Sequence, residues 1–100
     1  MSLDYLFSFE KYGLAYDELM TIGDHHKTRL RRALFHIGRV RERDVPEALH
    51  KEFNNIDKRI RNGIPVQTIL DRISDEDVNK LIDDIIDFNQ RLIWWCQSNS

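Results

Sequence analysis

Residues 74–96 read SDEDVNKLIDDIIDFNQRLIWWC, and this stretch decides the fold. Val78, Leu81, Ile82, Ile85, Phe88 and Leu92 recur at three- and four-residue steps, the period that gathers apolar side chains on one face of an α-helix. Ser74 with Asp77 three residues later makes a capping-box-like start, although Asp is shorter than the preferred Glu. Asp75, Glu76 and Asp77 suit the positive end of the helix dipole. Burying the six apolar side chains is worth on the order of 10 kcal/mol gross, so packing more than propensity holds this helix.

The same reading extends towards the N-terminus. A short helix or turn is expected at about residues 65–73, after an Asn62-Gly63 stop. Before it, Asp44, Val45 and Pro46 read as the N-cap and first positions of a helix with the stripe Leu49, Phe53, Ile56 and Ile60. A helix over about His25 to Arg41 carries His26, Leu30, Ala33, Leu34, Ile37 and Val40. The first helix spans Ser2 to about Ile22 and stops at Gly23, with Asp24 available to cap the next. Its main face is aromatic (Tyr5, Phe9, Tyr12, Tyr16, Leu19). Leu3, Phe7 and Leu14 lie on a second side, so contact with more than one neighbour is expected, and Gly13 offers close approach.

Connections of a few residues favour antiparallel neighbours. The expected fold is therefore all-α: one helical domain over residues 1–100, a compact antiparallel bundle of four main helices with one short extra helix or turn. Composition agrees, since prolines number 2 and glycines 4. No apolar run approaches the roughly 20 residues that span a bilayer, and the N-terminus lacks a secretory pattern. The single cysteine, Cys96, has no second thiol to pair with, which fits a reducing compartment. A cytoplasmic protein with no membrane association is the expectation.

Charge is distributed unevenly. Lys27, Arg29, Arg31, Arg32, Arg39, Arg41 and Arg43 crowd the second helix and its end, whereas Asp71, Asp75, Glu76, Asp77, Asp83, Asp84 and Asp87 dominate the start and middle of the last. Two aromatics depart from their helices' apolar stripes. Phe35 lies among Arg31, Arg32 and Arg39, opposite Leu30 and Ile37. Trp94 projects on the side of Asp83 and Asp87, opposite Val78 and Ile85. Aromatic and arginine side chains are enriched at protein interfaces, so these seven residues are the candidate partner-binding set, for a homodimer or another protein.

Basic residues interleaved with an aromatic also fit nucleic acid, the alternative function for the basic helix 27–43. The net charge of −2 and the acidic last helix weigh against it. Arg31 and His36, separated by four residues, resemble the short motif of the helical HEPN ribonucleases. That resemblance covers six residues and implies RNA cleavage by a dimer in which two such pairs meet. Arg32 departs from the polar residue common after the arginine, and the motif sits in the second helix instead of a later one.

Glu47 and His50 reproduce the Glu-x-x-His spacing of di-iron bundles, but they point away from the Leu49 and Ile56 stripe, where solvent is the expected neighbour, and have no second copy. His25 and His26 diverge around a helix, and His26 reads as a satisfied boundary residue. No catalytic set, metal site or cofactor is expected, since no nucleophile motif, phosphate-binding loop or paired buried carboxylate occurs. The favoured reading is a non-enzymatic helical interaction module. Small bacterial or phage regulators, antitoxins, immunity proteins and adaptor subunits share that description. A dimeric HEPN-like ribonuclease is the third choice.

Overall fold

A computed structural model describes residues 5–60 and 66–98, the latter segment without the side chains of Val66, Gln67 and Ile69. The described residues form an all-α bundle. Its helices are α1 (Leu6–Leu19), α2 (His26–Ile37), α3 (His50–Ile60), the short α4 (Val66–Arg72) and α5 (Asp75–Ser98). Two 3₁₀ turns, Glu42–Asp44 and Glu47–Leu49, join α2 to α3. No helix among the described residues is long and apolar enough to cross a membrane.

α5 is the central member, 24 residues long and helical through Cys96. The backbone N–H of Asp77 donates to Ser74 Oγ (3.1 Å), half of the capping box foreseen from sequence. Val78, Leu81, Ile82, Ile85, Phe88 and Leu92 are all buried. α1 packs antiparallel along α5. Tyr5 meets Trp95 edge-on with ring centroids 5.2 Å apart, and Tyr12 meets Phe88 at 4.6 Å. α3 is antiparallel to α5 on another side, with Phe53 6.1 Å from Phe88 and Arg59 paired to Asp84 at 2.6 Å. Phe88 thus sits where three helices converge.

α2 carries the apolar residues of its expected stripe into the core, since Leu30, Ala33, Leu34 and Ile37 are buried and Val40 follows beyond the helix end, while His26 is half-buried. Its N-terminus meets that of α5 at His26. Nδ1 of that ring lies 3.1 Å from Asn79 Oδ1, and Nε2 lies 3.1 Å from Asp75 Oδ1. With two contacts at a half-buried ring, His26→Ala is expected to cost about 1–2 kcal/mol. The readout is the urea midpoint at constant slope; an unmoved midpoint would show that this junction is held by packing alone.

Helix boundaries differ from the periodic reading where polar groups compete for backbone. α1 stops at Leu19, short of Ile22, and the chain reverses through Gly23 at a φ of +97°, a left-handed conformation natural to glycine. The cap of α2 is His25, whose Nδ1 accepts from the Lys27 N–H (3.2 Å). Asp24, expected in that role, instead pairs with Arg32 at 2.7 Å. α2 ends at Ile37, four residues before Arg41.

The third helix begins at His50, later than the Asp44-Val45-Pro46 signal placed it. Asp44 is spent on the Arg41 N–H (2.8 Å), and Val45 is extended and buried. The stripe Leu49, Phe53, Ile56 and Ile60 is nonetheless buried as expected. Of the second apolar side proposed for the first helix, Phe7 and Leu14 are exposed, so no neighbouring helix covers them. Leu3, Ser2 and the Asn62-Gly63 stop fall outside the described residues.

Cys96 is buried on the core side of α5, and burial pushes its thiol above the ordinary value. The thiolate is the reactive form. A thiol reagent is therefore expected to label the native protein only as fast as the chain opens, and to label it at once in denaturant. Rapid labelling of the folded protein would show that the last turns of α5 detach.

Candidate functional site

Phe35 is 83% exposed on the outward face of α2. It stands out because α2 turns every other large apolar side chain inward, at a spacing that leaves residues 28, 32, 35 and 39 facing away from the core. Arg31, Arg32 and Arg39, one helical turn before or after Phe35, are exposed around it. Its only ring neighbour among the described residues is His36, edge-on at 5.8 Å.

The basic character of this region is smaller in space than in sequence. Arg29 is half-buried and donates to the Leu19 carbonyl at 2.8 Å, tying α2 to the end of α1. Arg41 donates to the Gly38 and Val40 carbonyls (2.9 and 3.3 Å). Arg32 holds Asp24, while Arg39 makes no ion pair among the described residues.

Trp94 is 67% exposed on α5. Asp83, Asp87 and Gln90 share its side of the helix and are exposed with it. Asp87 accepts from Arg91 Nε at 2.7 Å, and that carboxylate raises the Arg91 guanidinium above its ordinary value. Asp84, one residue from this stripe, turns instead to Arg59. The seven candidate residues thus form two groups, a basic aromatic one on α2 and an acidic aromatic one on α5.

Arg31 and His36 are not brought together. Five residues of helix turn through about 140°, which sends the two side chains to different neighbours. Arg31 borders a shallow depression with Leu70 and Asp71 of α4, whereas His36 Nε2 lies 3.4 Å from Glu18 Oε1 of α1. His50 is half-buried and structural, with Nε2 2.9 Å from the Val45 carbonyl and Nδ1 3.6 Å from Glu42. The expectation of a solvent-facing His50 is corrected by that contact, which helps set the start of α3. Among the described residues no group of three His, Cys, Asp or Glu side chains could hold a metal ion.

One feature escaped the sequence reading. Residues of α1 and α5 border an open groove of about 630 Å³, lined by Phe9, Gly13, Leu14, Tyr16, Asn89 and Ile93, with Glu10, Asp17 and Gln90 also at its wall. Leu14 is 44% exposed there. Asn89 is 4% exposed, yet its amide makes no hydrogen bond among the described residues. A signal for it was present in the sequence: Asn89 is a polar residue inside the apolar stripe of α5, four residues after Ile85 and three before Leu92. Its polar atoms are not sealed off: the buried side-chain atoms without a partner among the described residues are Arg29 Nε and Glu52 Oε2, and the open groove leaves the Asn89 amide within reach of water. Comparison of the chain with protein-family models, curated proteins and solved structures finds no match.

Proposed function

We propose that this chain is a non-enzymatic helical interaction module of the cytoplasm, associating with itself or with a protein partner through the Phe35 and Trp94 surfaces. The observation that carries the reading is Phe35, a phenylalanine left 83% exposed among arginines on a helix whose other large apolar residues are buried. Interface hot spots are rich in aromatic and arginine side chains of this kind. Trp94, beside Asp83 and Asp87, supplies a second anchor of opposite charge.

A protein partner is favoured over nucleic acid by where the arginines go. Arg29 and Arg41 are tied to backbone carbonyls, which draws two of the seven basic residues of this region away from a phosphate backbone. The ribonuclease reading has no support in the monomer, because Arg31 and His36 diverge.

The test is association measured two ways, by light scattering of the purified chain and by capture of proteins from an extract of its source cells. Phe35→Ser and Trp94→Ala should weaken one of the two while leaving the circular dichroism spectrum unchanged. The reading is overturned if the wild type stays monomeric and captures nothing, or if what it binds is retained by both variants.

A further inference from the structure

The α1–α5 groove and the outward face of α2 have matching patterns of opposite charge. Along the groove wall, Glu10 and Asp17 are seven residues apart with Gly13 between them, and neither makes an ion pair among the described residues. No cationic side chain among the described residues lines the groove. Arg32 of α2 and Arg39, in the turn that follows it, are also seven residues apart, with Phe35 between them. Phe35 follows Arg32 by three and precedes Arg39 by four, as Gly13 follows Glu10 and precedes Asp17. Glu10 and Asp17 lie two helical turns apart on α1, about 10.5 Å along its axis, while Arg39 stands in the turn two residues beyond the end of α2, on the same outward side as Arg32 and Phe35.

We propose that the groove receives the α2 face of a second copy of this chain. Phe35 of the incoming copy lies over Gly13, where an added Cβ would meet nothing within 4 Å, and packs against Phe9, Leu14 and Ile93. Arg32 and Arg39 meet the two carboxylates. A guanidinium has five N–H donors, so Arg32 retains Asp24 while engaging a second acceptor. This pairing rests on the interaction-module reading and gives the module its partner. It joins two different faces, so it is heterologous and either closes into a ring or propagates.

The experiment uses the full chain and a charge exchange. Wild-type protein should show a mass above the monomer in light scattering, rising with concentration and falling with salt, as screening of the paired charges requires. Glu10→Lys with Asp17→Lys, and separately Arg32→Glu with Arg39→Glu, should each be monomeric. Mixing the two variants places a basic groove against an acidic face and the reverse, and should restore association roughly tenfold or more over either alone.

Recovery in the mixture also demonstrates that both variants fold. Should either fail to fold, the milder Glu10→Gln with Asp17→Asn must weaken association in the same direction. A wild type that is monomeric throughout overturns the second-copy assignment, as does association indifferent to either charge reversal or a mixture that stays apart. In the monomeric case, Phe35-dependent capture of a different protein would leave the interaction-module reading standing without this partner.

Discussion

Phe88→Ala is expected to destabilise the protein by about 3–5 kcal/mol, the usual cost of removing a fully buried phenylalanine. Phe88 is 1% exposed and touches the rings of both Tyr12 and Phe53, so the loss is shared by α1, α3 and α5. Because those rings belong to three separate helices, they cannot close the space without moving backbone, which places the cost towards the upper end of that range. Domains of this size have stabilities of roughly 5–15 kcal/mol, and each kcal/mol moves the melting temperature by about 4–8 °C. Thermal melting of the variant should therefore start at least 12 °C lower, by roughly these values. Phe88→Leu refills most of the volume and should recover the larger part of the loss. A melting temperature unchanged in Phe88→Ala would mean that the three helices do not meet at this ring.

Phe35→Ser has the opposite profile. The ring contributes little to the fold, because it is exposed and contacts only His36 among the described rings, so stability should stay within about 0.5 kcal/mol of the wild type. Association should fall much further. Truncating an aromatic hot spot costs about 2 kcal/mol or more, equivalent to a roughly 30-fold weaker complex. The informative quantity is the contrast between the two readouts on one variant. Loss of association together with a matching loss of stability would identify Phe35 as part of the fold instead of the surface. Retained association with retained stability would remove it from the interface altogether. Trp94→Ala should behave in the same way, and its removal also reports whether the acidic stripe of α5 takes part.

The helices were legible in the sequence because their signal is local. Every apolar residue of the α5 stripe from Val78 to Leu92 is buried, and so are those of α3 from Leu49 to Ile60. A period near 3.6 places such residues on one face whatever they pack against. The divergence of Phe35 and Trp94 from those faces was legible for the same reason, since it depends only on angle around one helix. Helix ends were less so. Asp24 and Asp44 are good capping residues by type, but each had a stronger claim on it, from Arg32 and from the Arg41 backbone.

Tertiary structure alone decided which helix faces are covered. Phe7 and Leu14 are as apolar as Phe9 and Tyr16, yet α5 approaches only one side of α1, so the first pair is exposed and the second half-buried. The groove takes its walls from two helices, Gly13 and its neighbours on α1 and Asn89 and Ile93 on α5, a juxtaposition that no property of either segment contains. Likewise, Arg31 and His36 share a six-residue motif but face α4 and α1, because neighbouring helices occupy both flanks of α2. By itself the sequence determined the helices and their inward faces, through side-chain periodicity and the cost of leaving apolar surface in water. Which outward faces stay open depended on the distances between helices that only the assembled bundle sets.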